Sequence, residues 1–174
     1  MIQTSRLSMS PITESDWELF RELLTNPSVI ALCFDAPEED DIRRQFESRL
    51  PEWTPESEAW LCLVLREKAS GKSIGVTGFF MDKGTAEVGY LLLPDFHGKQ
   101  YGTESLKALL KWAESEHQLT QFRAIVSEGN VASERVLEKS GFELKETVPD
   151  AYEIGGKRYA DRVFIRDYFK TVKS

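Results

Sequence analysis

AEVGYLLLPDFHGKQYGTESLKALLKWAESE, residues 86–116, decides how the chain folds. Its first eight residues are apolar except for Glu87 and read as a strand over 86–93, which Pro94 ends. From 101 to 116 the apolar positions Leu106, Leu109, Leu110 and Ala113 fall on one side of a helix of about four turns. Between them stands HGKQYGTES, residues 97–105. A strand that passes through a glycine turn into a long helix sets unpaired amides and a partial positive charge at the strand's end. That arrangement stabilises a phosphate. Gly98 and Gly102 would let backbone approach such an anion, although a lone G-x-x-x-G serves equally as a chain-reversing turn.

Other phosphate motifs are excluded. GKS at 71–73 has the ending of a P-loop, but that motif needs glycine at 66, where Arg66 stands, and the segment reads as a hairpin turn. No G-x-G-x-x-G occurs.

Outward from this centre the elements follow in order. Residues 6–10 read as a short strand, and Thr13 with Asp16 opens a helix whose apolar face is Trp17, Phe20, Leu23 and Leu24. Asn26-Pro27 stops it. The acidic stretch 35–41 precedes a second helix with Ile42, Phe46 and Leu50 inward. Strands over 59–66, 73–80 and 86–93 are joined by turns containing Ser70-Gly71 and Lys83-Gly84, which makes their pairing antiparallel. After the long helix come a strand at 122–127, a short helix at 131–140 closed by Gly141, and a last hairpin divided at Gly155-Gly156. The strand-helix-strand passage makes strands 86–93 and 122–127 parallel neighbours. The expected fold is α+β: a mixed, mostly antiparallel sheet of about seven strands flanked by about four helices, in one domain spanning 1–174.

Composition narrows the function. With 41% hydrophobic, 11% aromatic and 29% charged residues among 174, the chain is of ordinary globular class. A net charge of −7 argues against a nucleic-acid backbone as partner. No run of 18 apolar residues and no basic-then-apolar leader occurs, so no membrane partner and a cytoplasmic location are expected. Cys33 and Cys62 form no C-x-x-C pair, and His97 and His117 lack ligand spacing. Neither a disulfide nor a metal is expected, and both histidines are placed at the surface.

A second constellation is EGNVASERVLEKSGFEL, residues 128–144. Asn130 is a helix cap with Ser133 on the first turn. Taken with TSRL at 4–7 and Asp16, AEVGYLLLP at 86–94, GKQYGTES at 98–105 and NVASERVLEKSGF at 130–142, the chain resembles the GNAT superfamily of N-acetyltransferases. Within it the similarity is to the RimJ/RimL type, which acetylates N-terminal amino groups of ribosomal proteins.

The resemblance implies acetyl-CoA as cosubstrate, held in a splayed parallel strand pair, with no metal. It assigns the pyrophosphate turn to His97, Gly98, Lys99, Gln100, Tyr101, Gly102 and Thr103. Gln100 stands where the family has its first glycine and is expected in helical φ/ψ, contributing only its amide, with Lys99 adding charge. Amides of Leu91, Leu92 and Leu93 would face the pantetheine and acetyl groups. Asn130 would hold the pantetheine. Ser133 would donate to the leaving thiolate, taking the part of a tyrosine that the short helix lacks. Glu87 is the candidate base. Asp35 and Tyr152 are assigned to the acceptor side, where the acidic stretch would draw a cationic amine. The acceptor is read as a protein or peptide N-terminus, for instance of a ribosomal protein, with polyamines, aminoglycosides or a non-catalytic CoA-binding role as alternatives. A homodimer is common in the resembled type.

Overall fold

A computed structural model describes residues 1–167; the last seven residues of the expected 1–174 domain lie outside the described residues. Among those described, eight strands form a single sheet. They are β1 (Ile2–Gln3), β2 (Leu7–Pro11), β3 (Leu61–Glu67), β4 (Ser73–Asp82), β5 (Thr85–Leu92), β6 (Gln121–Ser127), β7 (Glu143–Ile154) and β8 (Lys157–Asp167). Their spatial order is β1-β2-β3-β4-β5-β6-β8-β7. The expected α+β fold with a mixed sheet is the one observed. The added strand is β1, two residues long, which pairs Ile2 with Met9.

The helices are α1 (Trp17–Thr25), α2 (Pro27–Ile30), α3 (Glu39–Ser48), α4 (Tyr101–His117) and α5 (Val131–Lys139). Thr13 and Asp16 form a capping box, but around a 3-10 turn that leads into α1. Asn26-Pro27 ends α1 and also starts α2. Asn26 accepts from the Ser28 amide at 2.9 Å, and Pro27 takes the first helical position, where its missing N–H costs nothing.

The sheet separates two apolar layers. Phe20, Leu23, Ile42 and Phe46 from α1 and α3 pack with Val64 and Val76 on one face. Leu106, Leu109, Leu110 and Ala113 of α4 pack with Phe79, Val88 and Phe122 on the other. His117 is not a free surface residue: it lies half-buried between Trp112 at 4.9 Å and Trp53 at 5.5 Å.

β4 and β5 form a hairpin turned by Lys83 and Gly84, both at positive φ. β5 and β6 are parallel, but their register holds only Ala86 to Phe122 and Glu87 to Arg123. Beyond Glu87 they diverge, while β6 stays paired with β8 along its whole length. No helix among the described residues is long and apolar enough to cross a membrane.

Candidate functional site

The divergence leaves one edge of β5 open. The Leu93 amide donates to the Ile74 carbonyl at 2.8 Å. In an antiparallel pair alternate residues face the partner, so Leu91 and Gly89 also address β4 while Val88, Tyr90 and Leu92 address the gap. Of the three leucine amides expected there, only that of Leu92 points into the gap. The Leu92 carbonyl faces the same way, and the His97 ring donates to it at 2.7 Å.

At the end of this edge stands the glycine turn. The side chain of Gln100 does not cap α4, so the first-turn amides of Tyr101, Gly102 and Thr103 remain free to meet an anion. Gln100 itself has φ 67 and ψ 13, which corrects the helical conformation expected of it. The chain needs a left-handed residue to swing from the 3-10 turn Pro94–Phe96 into α4, and a side chain here carries strain that glycine would not. Gly98, at φ +71, is left-handed too, with open space around it. Gly102 also has a packing role. A Cβ there would lie 3.3 Å from Val136 and 3.4 Å from the Tyr90 ring, so this glycine lets α4, α5 and β5 close on one another.

The turn is anchored from the other end of the chain. Arg6 donates to Glu104 at 2.8 Å and to the Lys99 carbonyl at 2.9 Å, and the Thr4 hydroxyl donates to Glu104 at 2.6 Å. The TSRL segment is therefore a clamp on the first turn of α4.

Two cavities border the open edge. One, of about 410 Å³, runs along the turn and α5 past His97, Gln100, Gly102, Arg135 and Lys139. The other, of about 320 Å³, lies between β5 and β6 and contains Glu87. Leu32, Cys33, Tyr90, Leu91, Asn130 and Ser133 line both.

Asn130 caps α5, accepting from the Ser133 amide at 3.3 Å. The Tyr90 hydroxyl donates to Ser133 Oγ at 3.3 Å. Burial pushes the Tyr90 hydroxyl above the ordinary tyrosine range, and its bond to Ser133 holds part of that back. It remains a protonated donor.

Residues 6–143 match the family described as acetyltransferase (GNAT) domain. The chain belongs to the GNAT family. Two curated relatives come from Bacillus subtilis (strain 168). The uncharacterized protein YkkB is 28% identical over 89 residues, 49% of this chain and 52% of its own. The uncharacterized N-acetyltransferase YjdG is 30% identical over 84 residues, 47% and 50%. The chain thus spans about half the length of the curated relatives it matches.

Solved structures share the GNAT fold at low identity. A GNAT-family acetyltransferase from Bacillus anthracis superposes with TM-score 0.81 at 20% identity, covering 97% of this chain and 98% of that one. A spermidine N-acetyltransferase from Vibrio cholerae, solved with CoA and spermine, gives 0.83 at 17%, covering 97% and 99%. RimL, a ribosomal L7/L12 alpha-N-protein acetyltransferase solved with CoA, gives 0.81 at 17%, covering 94% and 95%.

Within this GNAT frame the other expected residues are placed as follows. Glu87 lines the 320 Å³ cavity and accepts from Arg123, which also bonds Asp82 at 3.0 Å. Asp35 accepts from the Gly155 amide at 2.8 Å, which joins the loop before α3 to the terminal hairpin. Neither Asp35 nor Tyr152, which is 43% exposed, is among the residues lining the two cavities. The acidic stretch is engaged locally: Glu39 pairs with Arg21 and Asp41 with Arg44.

Tyr90, Arg123, Arg135 and Lys139 were not reached from the sequence. Tyr90 shares a face with Val88 in an apolar strand and reads as core; its hydroxyl, which a buried tyrosine must satisfy, was the available signal. Arg135 and Lys139 sit four apart on α5 and so share a face.

Proposed function

We propose that this GNAT domain, spanning 1–174 and working in the cytoplasm, is an acetyl-CoA-dependent N-acetyltransferase. It transfers acetyl directly to a primary amine in a ternary complex. The observation that carries this reading is the meeting of the two cavities at Leu32, Cys33, Tyr90, Leu91, Asn130 and Ser133. An extended cosubstrate in one and an amine in the other would touch only there.

The residues fit such a cosubstrate. Uncapped α4 amides, with Arg135 and Lys139 lining the same cavity, suit a pyrophosphate, and the outward amides and carbonyls of Val88, Tyr90 and Leu92 suit the amide groups of a pantetheine arm. Acetyl-CoA supplies the acetyl group as a thioester. Glu87 receives the proton that the attacking amine must lose, directly or through water. Ser133 Oγ accepts from Tyr90 and keeps its own proton for the departing thiolate. The outward amides of Tyr90 and Leu92 polarise the carbonyl.

The acceptor in this reading is a peptide or protein α-amino group, the RimL-type assignment. Polyamine acetylation is the second reading, since the fold matches the spermidine enzyme equally well. Thiol release from saturating acetyl-CoA tests both, with free-N-terminus peptides in one set and polyamines and aminoglycosides in the other. Turnover that falls in Glu87→Gln supports the enzyme; cofactor binding with no turnover in any set overturns it.

A further inference from the structure

The 320 Å³ cavity is lined by two charged side chains, Glu87 and Arg49. Glu87 is compensated by Arg123. Arg49 is not: seven arginines among the described residues sit in ion pairs, and Arg49 is in none of them. Its Nε is buried and has no hydrogen-bond partner. An unpaired buried donor on a cation is costly, so the position demands an explanation.

The guanidinium is held in place by rings. It lies 5.2 Å from the Phe20 centroid and 5.6 Å from that of Trp60. Trp60 in turn covers Gly89, where a Cβ would meet the ring at 3.5 Å. Gly89 shares a strand face with Glu87, two residues away, so Arg49 and Glu87 address the cavity from the same side of the sheet. Cys62 also lines it, and the nearby guanidinium opposes part of the upward push that burial gives its thiol. Asp16, the other charge acting on Cys62, is engaged by the amide and hydroxyl of Thr13.

A guanidinium that lines the cavity, stacks on two rings and sits in none of those ion pairs suits a carboxylate there, and it repels a polycation. We infer that Arg49 is an anion-recognition subsite of the acceptor cavity, so that the amine acetylated here carries a carboxylate near its amino group. This rests on the proposed transferase reading and narrows it. The carboxylate belongs either to a free amino acid or to an acidic side chain at a peptide N-terminus.

The test compares acetyl transfer to free amino acids and their amides, to peptide pairs differing by Asp or Lys at the second residue, and to spermidine. Wild type should favour one carboxylate-bearing set by about 10-fold or more in kcat/KM, the range for a hydrogen bond to a charged group. Arg49→Met should abolish that preference while sparing neutral acceptors, and Arg49→Lys should restore part of it. Preference for the amino acids over their amides identifies a free amino acid; preference for the Asp peptide identifies an acidic terminus.

Equal use of neutral acceptors or spermidine by wild type, or an equal loss on every acceptor in Arg49→Met, overturns the subsite but leaves the transferase reading standing. If no amine turns over, that reading fails, and the subsite is judged by succinate as a thermal-shift probe. A stabilisation lost in Arg49→Met keeps it, and no stabilisation overturns it.

Discussion

Glu87 and Arg123 are register partners at the last aligned pair of the parallel strands, and Glu87 Oε1 lies 3.1 Å from Arg123 Nη2. The salt bridge sits where the strands part, with both side chains 28% exposed, and it holds the carboxylate on the wall of the 320 Å³ cavity. Glu87→Gln keeps the shape and the bond to Arg123 while removing the proposed base. Steady-state kinetics should give a kcat lower by about 100-fold or more, with the KM for acetyl-CoA nearly unchanged.

Tyr90 and Ser133 act as one proton-delivering unit in the proposed mechanism. Tyr90→Phe and Ser133→Ala should each lower kcat, and the double variant should lose little beyond the worse single one, which a double-mutant cycle measures. Because burial pushes the Tyr90 hydroxyl upward, its ionisation should not appear on the alkaline limb of the rate profile below about pH 10.

Gln100 carries left-handed strain that glycine would relieve. Gln100→Gly should stabilise the fold by about 1 kcal/mol, less what is lost with the exposed bond from Lys139. For a chain of this size that raises Tm by roughly 2–4 °C. Differential scanning calorimetry checks it. Cofactor affinity should hold or improve, since the side chain supplies no cap.

Cys62 titrates late. Burial, the leading cause, pushes its thiol up to about 11 from an ordinary 9.0. The folded state therefore favours the protonated thiol, and the stability it contributes is complete below pH 9 and lost as pH rises through 11. Denaturant titrations should show wild type losing on the order of 2 kcal/mol more than Cys62→Ala over that interval.

The parallel strand pair, the long helix and the glycine turn were legible in residues 86–127 because each depends on local periodicity or on a turn residue. The direction of the Leu91–Leu93 amides was not, since it depends on which phase of the β4 ladder pairs, and that is set by the hairpin at Lys83-Gly84. Gln100 was misread for a related reason: whether a residue is left-handed there depends on the angle between strand and helix. Asp35 followed the apparent logic of an acidic run, but of that run Asp41 is matched by Arg44 on its own helix and Glu39 by Arg21, a residue that sequence order alone does not bring to it. Arg49, read as nothing, gained meaning only through what it lacks.

The contact of Arg6 with Glu104 and the Lys99 carbonyl joins positions about a hundred apart in sequence. Fraying of the N-terminal segment and loosening of the glycine turn should consequently be coupled. Acetyl-CoA, by holding the turn, should slow hydrogen exchange at the paired amides of β1 and β2, which border neither cavity. The protein would then report its ligand at the end of the chain farthest, in sequence, from the α5 cap.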